Sequence, residues 1–323
     1  MMLILTEAGE GIGFGHLTRM MALGEALIEM ALPVRMLVQW EGPVQPQVIE
    51  GREWVLAGEW RDAPVGVIEQ FQASAVVVDS YRLFFDAYQA IANAGVHLTA
   101  IDDYHRLPYP AGLVVNPNVY ADTSRYLDSA RHAVGGVEYV ILRPAFVRAA
   151  GSFSVRPELR RVLLTLGGSD VHSLGLPVAG SLATIGREVY WIAPALAPFD
   201  PPPTSVTIYG TQGMEGMVQL VRDCDLVVCG GGQTLHELAC LGAPCIALEL
   251  GDDQLPNLNF YEQTGLLGPR LRWSQENLLA ALADRMESLR PAAARSRLSL
   301  LGRELIDGEG VRRLARVIAA QTR

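Results

Sequence analysis

Cysteine, positive charge and long apolar runs are all scarce in this sequence, and each scarcity excludes something. Four cysteines in 323 residues cannot make a disulfide scaffold. Their paired spacing (Cys224, Cys229, Cys240, Cys245) superficially resembles a zinc site. However, Cys229 ends an apolar run, Cys240 falls in the next helical stretch and Cys245 opens another run, so small buried thiols are expected and no metal. Arginine and lysine total 26 against 35 aspartates and glutamates, for a net charge of -9. A general nucleic-acid surface or a binding face for anionic membranes is therefore not expected. No apolar run reaches the roughly 18–20 residues of a membrane-spanning helix, so no integral membrane segment is expected. The opening Met1-Met2-Leu3-Ile4-Leu5-Thr6 is short and soon followed by acids and glycines, and it reads as a strand instead of a signal peptide. A cytoplasmic location is the expectation.

What is present is abundant apolar residue in short runs. Half of the residues are hydrophobic, and the length suits two ordinary domains better than one core. Apolar strand-like runs alternate with helical patterns, which predicts an α/β fold with parallel sheets covered on both faces. In the first half the strands fit 3–6, 34–38, 75–79, 98–101 and 113–115, and helices fit 16–30, 67–72 and 84–94. After Arg143-Pro144 the pattern loosens as far as Arg156-Pro157, which reads as a linker. It then resumes with strands at 162–166, 189–193, 206–209, 226–229 and 245–248. Helices follow at 214–221, 234–241, 258–263, 275–289 and 310–321, with Pro291 breaking between the last two and Asp200-Pro201-Pro202-Pro203 as a surface connector. Domains are expected at 1–147 and 156–323, the last helix packing back on the first domain. Two such halves facing each other make a cleft, and open α/β sheets bind ligands beyond the carboxyl ends of their strands.

The stretch with most chemical content is Val227-Val228-Cys229-Gly230-Gly231-Gly232-Gln233-Thr234-Leu235-His236-Glu237. A strand runs into glycines that open a helix. Bare backbone at Gly231 and Gly232, with the N–H groups of Gln233 and Thr234 and the helix dipole, suits a pyrophosphate. Glu237 is then placed to accept hydrogen bonds from ribose. Thr234-x-x-Glu237 equally fits a capping box, in which both side chains only satisfy the helix start. A second glycine turn, Leu166-Gly167-Gly168-Ser169-Asp170, can offer N–H groups to the same phosphates. Met214, at a helix start after Gly213, can pack against a flat base, or simply be buried. Gln254 and Asn257 follow the next strand and can reach sugar hydroxyls.

In the first half, Gly9-Glu10-Gly11-Ile12-Gly13-Phe14-Gly15-His16 has glycines at alternate positions, so it is no dinucleotide fingerprint. It delivers His16 to a helix start, whose dipole disfavours the protonated ring, so the imidazole can take a proton from water. Capping or core packing is the competing role for His16. Asp79 and Tyr81 end one strand and Asp102 and Asp103 end another. Such acids orient a base or bind hydroxyls, although Asp also caps helices.

Taken together, Gly13-Phe14-Gly15-His16-Leu17-Thr18-Arg19, Val78-Asp79-Ser80-Tyr81, Ile101-Asp102-Asp103, Tyr139-Val140-Ile141-Leu142-Arg143-Pro144-Ala145-Phe146, Leu166–Asp170 and Gly231–Glu237 occur in the order of a known family. From about Leu3 to Gly265 the chain resembles the UDP-sugar hydrolases of pseudaminic acid biosynthesis and their spore-coat polysaccharide relatives. Those are similar in turn to the lipid II-forming N-acetylglucosaminyltransferase, with two Rossmann-like domains facing across a cleft, the glycosyltransferase-B type. The resemblance implies hydrolysis of UDP-2,4-diacetamido-2,4,6-trideoxy-β-L-altropyranose at the anomeric carbon, with no metal or other cofactor and a UDP-sugar as the small-molecule partner. It implies His16 as the histidine that acts on or positions water and Tyr81 as an active-site tyrosine, with Asp79 beside them. Glu237 takes the ribose, Gln254 the donor sugar, and Asn257 fits the transferase pattern. Gly13, Gly15, Arg19 and Asp103 join the expected binding set. The chain departs from the family at Glu7-Ala8, where an arginine and an aspartate are usual, at Met20-Met21, and at Asp253-Gln254, usually Asn-Gln. These departures bear on the sugar more than on UDP. The alternatives are a metal-independent glycosyltransferase with the same donor site, or a non-catalytic UDP-sugar binder.

Overall fold

The computed structural model describes residues 1–42, 51–167, 170–194 and 203–322. Gly168 and Ser169, and residues 200–202 of the expected connector, lie outside the described residues. The chain divides into two compact units, Met1–Arg143 with Glu309–Arg323, and Pro144–Gly308.

The first unit is built on seven parallel strands: β1 (Met2–Gly9), β2 (Val34–Glu41), β3 (Val55–Ala57), β4 (Ala75–Asp79), β5 (His97–Ile101), β6 (Leu113–Asn116) and β7 (His132–Gly135). Their spatial order is β3-β2-β1-β4-β5-β6-β7. Successive side chains of a strand point to opposite faces, and both faces are covered here. Met2, Ile4 and Ala8 of β1, with Ala75 and Val77 of β4, enter one apolar cluster. Leu3 and Leu5, with Val76 and Val78, enter the cluster on the other face. Helices α1 (Gly15–Glu29), α2 (Pro64–Gln70) and α3 (Phe85–Asn93) connect the strands.

The second unit has α4 (Pro144–Arg148), β8 (Arg161–Thr165), α5 (Gly175–Thr184), β9 (Glu188–Ile192), β10 (Val206–Tyr209), α6 (Met214–Asp223), β11 (Leu226–Gly230), α7 (Thr234–Leu241), β12 (Cys245–Glu249), α8 (Leu255–Gln263), β13 (Leu271–Arg272), α9 (Leu278–Ser288) and α10 (Ala292–Leu305). Its six parallel strands are ordered β10-β9-β8-β11-β12-β13. The last helix, α11 (Gly310–Gln321), returns to the first unit. Val311, Leu314, Ala315 and Ile318 fall at helical spacing on one face and join the cluster beside β1.

Several elements differ from the sequence reading. β3, β7, β13, α5 and α10 have no counterpart in it. Pro291 does end the preceding helical run, and it also serves as the N-cap of α10. α8 begins at Leu255, three residues earlier than expected, because Pro256 fits the first turn, where no N–H is needed. The expected linker holds the short α4. All four cysteines are buried thiols. Among the described residues no helix is long and apolar enough to cross a membrane.

Candidate active site

In each sheet the strand order reverses at one place, between β1 and β4 in the first unit and between β8 and β11 in the second. The loops leaving those strands diverge there and open a crevice, which is where open α/β sheets bind ligands. His16 and Arg19 follow β1, Asp79 ends β4 with Tyr81 just beyond it, Gly167 follows β8 and the Gly231–Glu237 turn follows β11, while Asp103, Met214, Gln254 and Asn257 follow β5, β10 and β12.

In the first unit the loop after β1 is tied by its own backbone. The Gly9 N–H donates to Gly13 O (3.2 Å) and the Gly13 N–H returns to Gly9 O (2.8 Å). Gly9 has φ +127°, and a Cβ there would lie 1.9 Å from Glu41 O, so no other residue fits. The Gly13 N–H is thus spent inside the loop instead of facing a ligand. Gly15 is exposed and opens α1. The turn sets His16 into a buried position with Nδ1 2.7 Å from Asp79 Oδ1.

Asp79 is fully buried at the end of β4 and takes a bidentate grip from Arg19, Nε to Oδ2 at 2.7 Å and Nη2 to Oδ1 at 2.6 Å. Burial alone would raise its pKa, but Arg19 and then His16 hold its carboxyl well below the usual range. An ionised Asp79 accepts the His16 Nδ1–H, which fixes the tautomer and leaves Nε2 as the lone-pair nitrogen. Nε2 has no partner among the described residues. Arg19 Nη2 lies 3.1 Å from Nδ1 because both donors converge on the same oxygen.

Asp103 completes the cluster. Its Oδ1 accepts from Arg19 Nη1 at 2.8 Å and from Asn118 Nδ2 at 2.7 Å, and its Oδ2 accepts from the Tyr81 hydroxyl. Burial alone would raise the Asp103 pKa, but the Arg19 guanidinium holds this carboxyl below the ordinary carboxylate value. Burial and the neighbouring Asp103 push the Tyr81 phenol up, so it remains a donor. The Tyr81 ring stands edge-on to His16 with centroids 4.3 Å apart. Its backbone is clamped from two directions. Glu7 Oε1 accepts the Tyr81 N–H at 3.0 Å, and Arg106 donates to the Tyr81 and Ser80 carbonyls at 2.7 Å each. Glu7, one of the departures from the family pattern, therefore supports the tyrosine.

Two expectations change here. Arg19 is committed to two carboxylates and is no open anion ligand. Asp102 faces inward, accepting from Tyr109, Tyr126 and the His105 N–H, and so steadies the β5 end without joining His16. Asn118, by contrast, was missed by the sequence reading. The only signal for it was the turn-forming Asn116-Pro117-Asn118 after β6.

In the second unit the glycine turn follows β11. A Cβ on Gly231 would lie 2.7 Å from Leu258 Cγ, whereas at Gly232 it would meet nothing within 4 Å. Gly231 is packed from behind and Gly232 opens outward. The Gly231 N–H is taken by Gln254 Oε1 at 2.8 Å, and Asn257 Nδ2 donates to Gly231 O at 3.3 Å. Gln254 and Asn257 therefore shape the turn in this structure. Thr234 is the first helical residue of α7, and the N-cap, Gln233, makes no side-chain cap hydrogen bond. The capping-box reading needs Thr234 at the N-cap and is overturned. Glu237 lies in the first turn of α7, fully buried. Gly167, after β8, has φ +97°. Met214 starts α6 and is half-buried, with Met217 buried one turn on.

No family model matches the chain. The spore coat polysaccharide biosynthesis protein SpsG of Bacillus subtilis is 24% identical over 343 residues, covering 98% of this chain and 96% of that one. The Helicobacter pylori protein named pseudaminic acid cytidylyltransferase and UDP-2,4-diacetamido-2,4,6-trideoxy-beta-L-altropyranose hydrolase is 23% identical over 221 residues, 66% of this chain but 40% of its own length. Among solved structures, MurG of Acinetobacter baumannii superposes with a TM-score of 0.72 at 13% identity, covering 99% of each chain. Phytolacca americana UGT2, complexed with UDP-2fluoro-glucose and pterostilbene, gives 0.73 at 13% identity over 100% of each. The fold is of the glycosyltransferase-B type. The similarity to SpsG covers 98% of the chain and that to the Helicobacter protein 66%.

Proposed function

We propose that this chain is a UDP-sugar hydrolase, releasing UDP and the free sugar from a UDP-linked amino or deoxy sugar. The observation that carries the reading is the buried His16–Asp79 pair at the reversal point of the first sheet, with Nε2 left as a base. Nε2 removes a proton from water, the water oxygen bonds to the anomeric carbon, and the bond from that carbon to the UDP oxygen breaks with its electron pair on the β-phosphate. The diphosphate charge is taken up by the main chain at Gly232 and by the α7 dipole. Glu237 accepts from ribose, and Met214 packs on the base.

The polysaccharide and UDP-sugar hydrolase names of the two relatives support this reading. UGT2, holding a UDP-sugar analogue together with pterostilbene on the same fold, favours a second one, transfer of the sugar to an acceptor. Incubating the protein with a panel of UDP-amino sugars in water, and following UDP release by NMR, separates the two. UDP and free sugar form without an acceptor if the protein is a hydrolase. UDP release only on adding an acceptor would establish transfer, and binding without release would leave a sensor.

A further inference from the structure

The sequence reading found no role for His172, yet the structure gives it a specific one. Its ring lies flat on Trp273, with centroids 3.7 Å apart and planes 6° apart. His172 Nε2–H donates to Leu250 O at 2.7 Å. A carbonyl can only accept, so Nε2 carries the proton, and in the neutral ring Nδ1 is the acceptor. Trp273 is 42% exposed despite the stack.

The pair is wired into the glycine turn. Leu250, whose carbonyl holds His172, gives its N–H to Gln254 Oε1 at 3.2 Å, and the same oxygen accepts the Gly231 N–H at 2.8 Å. The Trp273 backbone N–H donates to Glu249 O at 3.1 Å, which places the residue at the carboxyl end of β12. Along this edge of the sheet the order is β10, β9, β8, β11, β12, β13. Met214 follows β10, the glycine turn follows β11, and Trp273 follows β13. Two strand spacings separate the turn from Trp273, about 10 Å. That matches the span from a diphosphate to the far side of the hexose it carries, with the base lying in the opposite direction.

We propose that His172 and Trp273 form a pyranose platform. The indole surface that His172 leaves uncovered takes the apolar face of the sugar, and His172 Nδ1 accepts a hydroxyl proton from the ring. This rests on the reading that the second unit binds a nucleotide sugar. It assigns the sugar's contacts to two residues outside the Gln254–Asn257 segment.

Calorimetry with UDP and with UDP-N-acetylglucosamine tests it on the full chain. The wild type should bind the nucleotide sugar roughly 3–10-fold more tightly than UDP. Trp273→Ala should erase that preference and leave UDP affinity unchanged. His172→Phe, which keeps a flat ring and loses the acceptor, should reduce the preference and preserve folding. Equal affinity of the wild type for the two ligands overturns the platform, as does a preference that survives both substitutions. A parallel loss of UDP affinity in Trp273→Ala would put the base on the indole and overturn it too. Failure of the wild type to bind UDP at all would instead remove the nucleotide-sugar reading on which the platform rests.

Discussion

His16 Nδ1 lies 2.7 Å from Asp79 Oδ1, and the two side chains are only 6% and 0% exposed. They are 63 residues apart in sequence, and β1 and β4, being neighbours in the sheet, deliver them to the same point. Arg19, one turn after His16 on α1, shares the carboxylate, so the charge that orients the imidazole is itself neutralised. Burying Asp79 without Arg19 would be costly, and with it the carboxylate stays ionised.

Asp79→Asn separates orientation from volume. It keeps the side-chain size, removes the acceptor charge and leaves Arg19 short of a counter-ion. The expected loss in turnover is about 10²–10⁴-fold, as for His16→Ala, with UDP affinity unchanged. Stability should fall by about 3–5 kcal/mol, because one half of a buried pair has been removed. Rates of UDP release, calorimetry with UDP and thermal unfolding measure the three. Full activity in His16→Ala would take the histidine out of the mechanism.

Tyr81→Phe tests the donor to Asp103. The hydroxyl stays protonated at any working pH because burial and Asp103 both oppose ionisation. Its removal leaves a buried Asp103 oxygen without that hydrogen bond, at a cost of about 1–3 kcal/mol. The ring and its contact with His16 remain. Turnover should drop while the pH profile keeps its shape. A shifted profile would mean that Tyr81 itself exchanges a proton in the reaction.

Acid stability depends on a different histidine. Burial pushes the His236 imidazole down to about 4, and its Nδ1 shares a 2.7 Å hydrogen bond with the Tyr261 hydroxyl. The folded state thus holds this ring neutral, while the unfolded chain protonates it near 6.5. Unfolded protein binds more protons between those values, so stability is complete above about pH 6.5 and is lost as pH falls towards 4. The loss amounts to about 3 kcal/mol. The depressed carboxyls of Asp79 and Asp103 act lower, their contribution lapsing only as pH drops beneath the ordinary carboxylate range. His236→Gln keeps a hydrogen-bonding side chain beside Tyr261 and does not titrate. Urea unfolding of this variant should be nearly flat from pH 7 to 4.5, where the wild type declines.

The parallel α/β character was legible because buried strands such as Ala75–Asp79 are continuous apolar runs bounded by polar loops. Residues at strand ends, His16, Asp79, Tyr81 and Asp103, were legible for the same reason. What was hidden are pairings with no local pattern. β3 and β7 are short edge strands of three and four residues, too brief for a period to emerge. α10 is polar enough on its outer face, and close enough to Pro291, to read as a loop. The stack of His172 on Trp273 joins residues about a hundred positions apart, and nothing in either neighbourhood announces it. The competing roles of Gln254 and Asn257 were equally unreadable, since a polar side chain after a strand looks the same whether it holds a ligand or its own backbone.

Glu237→Ala addresses the ribose. The carboxylate is fully buried at the start of α7, so a nucleotide must open a way to it. A hydrogen bond from ribose to a charged acceptor predicts a loss in UDP affinity of roughly 10–100-fold. Unchanged affinity together with a lowered melting temperature would make Glu237 a structural acid.

The two glycines of the turn give the sharpest separation of fold from ligand. At Gly231 an added Cβ would press on Leu258 and, at 3.0 Å, on Gln254 Cβ, so Gly231→Ala must displace the side chain that accepts its N–H. Overpacking of this kind costs about 1–3 kcal/mol, and both melting temperature and UDP affinity should fall. At Gly232 the same methyl meets nothing, and the residue is not in the left-handed region, so Gly232→Ala should fold as well as the wild type. Its one effect should be on what approaches from outside. If a diphosphate lies against bare main chain at that point, the methyl holds it off and UDP affinity falls at constant stability. Calorimetry on the pair decides it: unaltered UDP binding in Gly232→Ala would move the phosphates away from the α7 turn.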